Sequence, residues 1–89
     1  MALVRLRGRL KQIAGAAEVS LDAPTAGELM RALERERPAL SGWILDERGR
    51  IRQHINVFVN GEAGKEETPV AANDCVDVLP AISGGGGPT

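Results

Sequence analysis

Aromatic side chains are almost missing from this chain: of 89 residues, only Trp43 and Phe58 carry one. That scarcity removes the stacking platforms on which single-stranded bases are held. An excess of positive charge is missing too, with eleven basic residues against twelve acidic ones and a formal net charge of −1. Phosphate contacts depend on such an excess, so no nucleic-acid partner is expected. Cys75 is the sole cysteine and His54 the sole histidine. An intrachain disulfide is therefore excluded, the composition suits a reducing compartment, and no metal-ligand spacing exists. Long hydrophobic runs are lacking as well. The opening Met1-Ala2-Leu3-Val4-Arg5-Leu6-Arg7 interleaves apolar and basic residues, unlike a signal peptide or a membrane span. The expected setting is the cytoplasm, without a membrane partner.

Catalytic constellations are equally scarce. There is no nucleophile triad, no paired-carboxylate site and no phosphate loop, since the glycines lack a strand-loop-helix context and a lysine. A chain of this length forms one small domain, a poor container for a deep active site. The expectation is a protein without catalysis of its own. Its 43% apolar and 26% charged content is that of a folded domain, which excludes a disordered body.

What is present is a patterned body followed by a glycine tail. Ala2, Val4 and Leu6 alternate with Leu3, Arg5 and Arg7, the period of a strand with one buried face. Gly8 opens what reads as a loop containing Leu10, Ile13 and Gly15. Ala17, Val19 and Leu21 then alternate inward, and the two strands are expected to form an antiparallel hairpin. Thr25 and Glu28 have capping-box spacing, each able to satisfy a backbone donor at a helix start. Ala26, Leu29, Met30 and Leu33 fall at i, i+3, i+4 and i+7, an apolar stripe. Glu28, Arg31 and the Glu34–Arg37 run read as a solvated face, and Pro38 ends the helix near Arg37. Leu40, Trp43, Ile44 and Leu45 read as an irregular segment capping the core, with Trp43 covering its end.

Ile55, Val57 and Val59 mark a third strand, closed by the turn signal Asn60-Gly61. A short edge strand is expected near Thr68-Pro69-Val70, a turn at Asn73-Asp74, and a last strand over Cys75–Pro80. The order of strand, strand, helix and two or three further strands predicts the α+β class. More narrowly, it predicts a β-grasp, ubiquitin-like mixed sheet of four to five strands, with one main helix on one face and the first and last strands adjacent at its centre. The expected organisation is a domain over residues 1–82 and a flexible glycine-rich tail over 83–89.

Gly84, Gly85, Gly86 and Gly87 carry no side chains and cannot help build a core. Such a run serves as a slack linker, or as a thin peptide that threads a narrow channel in another protein. With only Pro88-Thr89 after it, the threading tail is the expected reading, and a remnant of cloning is the lesser one.

The run Val78-Leu79-Pro80-Ala81-Ile82-Ser83-Gly84-Gly85, reached through Ile55-Asn56-Val57-Phe58-Val59-Asn60-Gly61, resembles the ubiquitin-like sulfur carriers of the MoaD/ThiS family. The likeness spans essentially the whole chain. The form Leu79-Pro80-Ala81 is nearer to carriers that serve cysteine biosynthesis than to those of molybdopterin synthesis. The resemblance implies that an E1-like enzyme adenylates the terminal glycine with ATP and magnesium. Sulfide from a persulfide or rhodanese-type donor then displaces AMP, leaving a thiocarboxylate for a sulfur-accepting synthase. The carrier itself binds no cofactor and no metal. It acts as a co-substrate.

One departure stands out, because the family ends at the diglycine whereas Gly86-Gly87-Pro88-Thr89 follow here. The resemblance then implies removal of those residues, by a processing metalloprotease cutting after Gly85, with Gly87 as the alternative. Gly84 and Gly85 are the expected activation site. Outward alternation groups Leu3, Arg5, Arg7, Phe58 and Leu79 as a docking patch for the activating enzyme. The competing functions are a modifier joined to target lysines, the small subunit of a molybdopterin synthase, and an interaction module with an inert tail.

Overall fold

The first strand forms because every second residue can be buried. In the computed structural model, which describes residues 1–80, β1 spans Ala2–Leu6 with Ala2, Val4 and Leu6 inward. After it come α1 (Gly8–Ala14), β2 (Glu18–Leu21), α2 (Ala26–Glu36) and a 3-10 turn over Pro38–Leu40. The chain then builds β3 (Ile55–Val59), β4 (Glu62–Ala63) and β5 (Cys75–Pro80). The five strands make one mixed sheet in the order β2-β1-β5-β3-β4. β1 lies parallel to β5 at the centre, and the other pairings are antiparallel. The α+β, β-grasp expectation holds.

Helix α2 buries Ala26, Leu29, Met30 and Leu33 in the same core as Val4, Leu6, Val57, Val76 and Val78. Burying each large apolar side chain is worth about 1.5–3 kcal/mol, so this interface is the main cohesive term. Thr25 caps the helix, its Oγ1 accepting from the Glu28 N–H at 3.2 Å. Only this half of the box forms among the described contacts, for the Glu28 carboxylate turns to Arg31 at 3.0 Å. The helix stops at Arg37, ahead of Pro38, as the proline requires.

Five local expectations are corrected. Gly8–Ala14 is a helix and not a loop: Leu10 is buried, Ile13 and Ala14 pack against the core, and Gly15 closes it at φ 72°. Ala17 is exposed, since the strand proper begins at Glu18 and only Val19 and Leu21 reach the core. The edge strand is Glu62–Ala63, directly after the turn at Asn60 (φ 53°) and Gly61 (φ 87°), whose paired left-handed residues suit a tight hairpin. Near Thr68–Val70 there is a lone bridge from Pro69 to Thr25. Trp43 does not cover the core: 44% of it is exposed, while Leu40, Ile44 and Leu45 are buried. Finally, Glu34 is half-buried, and its Oε2 accepts from the N–H groups of Ile44 (3.2 Å) and Leu45 (2.9 Å).

Candidate functional site: the open sheet face and the root of the tail

Strand alternation sends the residues between the core positions to the opposite face of the sheet. Leu3, Arg5, Phe58 and Leu79 all lie there, half-buried, together with Asn56, Cys75 and Asp77. Register sets Glu18, Arg5, Asp77, Phe58 and Ala63 in one row across all five strands. Leu79 sits opposite Asn56 in the row nearer the tail, and Leu3 stands between Ser20 and Cys75 on the other side. Four of the five expected docking residues thus share one face.

The fifth, Arg7, follows β1 and is exposed, and it reaches back to that face. Its Nη2 donates to Asp77 Oδ1 at 3.3 Å, and its backbone N–H donates to the Val78 carbonyl at 3.1 Å. Arg5 has its Nε buried without a hydrogen-bond partner among the described residues. The face is therefore apolar at Leu3, Phe58 and Leu79, with an alternating charge pattern along its middle row. Sequence reasoning left Glu18 and Asp77 out of the patch. The signal was available, because an inward Val19 and Val76 force Glu18 and Asp77 outward.

The far end of β5 is braced. Asn60 Nδ2 donates to Asp74 Oδ1 at 3.0 Å, Asn60 Oδ1 accepts from the Cys75 N–H at 2.9 Å, and Asp74 Oδ2 accepts from the Ala71 N–H at 2.8 Å. The Ala71 N–H and then the Asn60 amide hold the Asp74 carboxyl below its ordinary value of 3.8. In the loop before β3, the N–H groups of Arg50 and Arg48 hold Asp46 down in the same way. The bonds of Asn60 and Asp74 brace the start of β5, whose other end hands the chain on toward the tail. That end is Pro80, packed beside Gly8.

Gly84, Gly85 and Gly87 lie outside the described residues, as does the expected boundary at residue 82. Among the described residues no group of three His, Cys, Asp or Glu side chains is placed to hold a metal. Nor is any helix there long and apolar enough to cross a membrane. Cys75 is a half-buried free thiol on the open face, and His54 is exposed just before β3.

A β-grasp sheet whose last strand runs beside its first and leads toward a glycine run defines a class, the ubiquitin-like carriers and modifiers. Residues 4–85 match the ThiS family model, and the chain belongs to the ThiS family. Small archaeal modifier protein 1 of Haloferax volcanii is 34% identical over 84 residues, covering 91% of this chain and 97% of the relative. Sulfur carrier protein CysO of Mycobacterium tuberculosis is 31% identical over 77 residues, covering 80% and 83%. Among solved structures, the Haloferax volcanii modifier superposes with a TM-score of 0.82 at 32% identity, over 97% of this chain and 98% of that one. A chain of the Amycolatopsis orientalis BexX/CysO complex gives 0.82 at 25% identity, over 98% and 100%. The two curated relatives are named as a modifier and a sulfur carrier.

Proposed function

We propose that this chain is a sulfur carrier whose Gly85 carboxylate is activated and converted to a thiocarboxylate. The observation that carries the reading is where the family match stops: it runs through Gly84 and ends at Gly85. A carboxylate is a poor acyl donor. In the proposed cycle it attacks the α-phosphorus of ATP, held with magnesium by an E1-like partner, and pyrophosphate leaves. The outer sulfur of a persulfide or rhodanese-type donor attacks the acyl carbon of the resulting anhydride, and AMP departs to leave an acyl disulfide. A second thiol then attacks the donor's own sulfur, forming a disulfide with it and freeing the thiocarboxylate for a sulfur-accepting synthase, with cysteine assembly as the favoured use. Glycine suits the reacting end because a Cβ would clash in a tight ATP site. Leu3, Arg5, Arg7, Phe58 and Leu79 form the docking surface, apolar contacts beside charges that orient the partner.

In the sequence Gly85 is joined to Gly86, so its carbonyl is an amide. Hydrolysis of that bond, by a processing protease of the metalloprotease type, is part of the proposal. Intact mass of the chain before and after exposure to host lysate tests it. A product ending at Gly85 is expected. A form that keeps Gly86 onward and yet transfers sulfur overturns it, and a product ending at Gly87 moves the activation site there.

A second reading is favoured by the modifier at 34% identity, namely conjugation of the same activated glycine to target lysines. Blotting host extracts against the chain separates the two. Ladders of higher mass support conjugation, and a single band that gains the mass difference between sulfur and oxygen supports transfer.

A further inference from the structure

Beside the tail root, and away from the sheet face just described, lies a cleft of about 360 Å³. Its apolar lining is Leu10, Ile55 and Pro80, with the partly exposed Trp43 beside them. Arg9, Arg52 and His54 complete the wall, and no Asp or Glu side chain lines it. The outward Trp43 is built in and not slack. Gly42 turns the backbone at φ 85°, and the Trp43 N–H donates to the Leu40 carbonyl at 2.9 Å. The next two N–H groups are held by Glu34, while Ile44 and Leu45 are buried. Arg52 locks the same segment, its Nε donating to the Gly42 carbonyl at 2.7 Å and its N–H to the Ile44 carbonyl at 2.8 Å. Neither Arg9 nor Arg52 forms an ion pair among the described residues.

We infer that this cleft is a second protein-contact site, which takes an acidic peptide segment carrying an apolar side chain. Charge complementarity chooses the occupant. Two guanidiniums without carboxylate partners present planar donor forks that suit carboxylates, and a rigid, exposed indole is the usual anchor for an apolar side chain at an interface. The volume sits near the lower end of small-ligand pockets (~300–1,000 Å³), room for a side chain or two and not for an extended ligand. A nucleic-acid strand is the weaker match, since one indole offers a single stacking platform. Pro80 contributes to the wall, so an occupied cleft lies where the chain leaves β5. The inference does not rest on the sulfur-carrier reading.

Trp43 is the only tryptophan in the chain, so its emission reports this cleft alone. The probe is an end-blocked peptide, Glu-Asp-Leu-Glu-Asp-Leu, titrated at low ionic strength beside its Gln/Asn counterpart and a short single-stranded DNA. The expected result is a saturable blue shift with the acidic peptide, diminished by added salt and absent with the amide peptide. Arg9→Glu, a change at an exposed residue, should weaken the response several-fold with the melting temperature unchanged. No response to the acidic peptide, or an equal one to the amide peptide, overturns the inference. So does an unaltered response in Arg9→Glu, or tighter binding of the DNA.

Discussion

Arg7 and Asp77 meet at 3.3 Å across the central parallel pair, joining the end of the first strand to the last strand that precedes the tail. Their side chains are 57% and 23% exposed, so the pair adds no more than about 1 kcal/mol to stability. Under the proposed function, its place on the open face serves docking. Arg7→Glu, alone or with Arg5→Glu, should slow adenylation by the cognate activating enzyme. The melting temperature should move little. Adenylation kinetics that match the parent chain's remove these arginines from the docking surface.

Arg5 allows a sharper separation of folding from docking. Its Nε is buried without a partner among the described residues, and an unmet buried donor costs about 1–3 kcal/mol. Arg5→Met keeps the stem and deletes that donor. Denaturant unfolding should show unchanged or increased stability, while adenylation slows. A variant that is both less stable and normally activated would make Arg5 a structural residue only.

Glu34 holds two backbone N–H groups, those of Ile44 and Leu45. Glu34→Ala leaves both without their acceptor and should cost about 1–3 kcal/mol by chemical denaturation. Trp43 emission should shift as well, because the segment that presents the indole loses its anchor.

Gly27 lies in α2, where alanine is ordinarily favoured by about 1 kcal/mol. A Cβ there would meet the Glu66 carbonyl oxygen at 3.0 Å and its Cα at 3.3 Å, and the Gly27 N–H already donates to that same carbonyl at 2.9 Å. Backbone cannot yield as a side-chain tip can. Gly27→Ala should therefore destabilise, by about 1–3 kcal/mol, opposite in sign to the helix preference. A stabilised variant contradicts this packing.

Asp74 links stability to pH. Its folded value is lowered below 3.8, first by the Ala71 N–H and then by the Asn60 amide. The contribution is therefore complete above the ordinary value and is lost as pH falls through the depressed folded one. Asp74→Asn should flatten the acid limb of the stability–pH curve, with the curve unaltered in shape near neutrality. An unflattened limb assigns acid sensitivity to other groups, with Asp46 the next to test.

Much of this architecture can be read from residue patterns, and the misses have physical causes. Ala2, Val4 and Leu6, the Thr25 cap, the Leu29–Met30–Leu33 stripe and the Asn60-Gly61 turn each obey one dominant rule, and each appears as expected. Helix α1 did not, because Gly8 and Gly15 at its ends read as loop-formers, and seven residues carry little periodic signal. Its stability comes from Leu10 entering the core, a tertiary term. Glu34 shows the same limit, since a carboxylate on a helix looks solvated until the Ile44–Leu45 backbone folds against it. Trp43 departs in the other direction, being 44% exposed while Leu40 and Ile44 on either side of it are the buried residues. The face shared by Leu3, Arg5, Phe58 and Leu79 was legible because strand alternation alone sorts the two sides of a sheet. Alternation puts Glu18 and Asp77 on that face as well, and what register adds is that they stand in one row with Arg5.

The central claim is tested most directly by the intact mass of a chain ending at Gly85, incubated with its cognate activating enzyme, ATP, magnesium and a sulfide donor. The account predicts an AMP adduct without the donor, and with it a species heavier by the difference between sulfur and oxygen. A chain that ends in its diglycine and acquires neither mass, while the same enzyme adenylates another carrier, contradicts it.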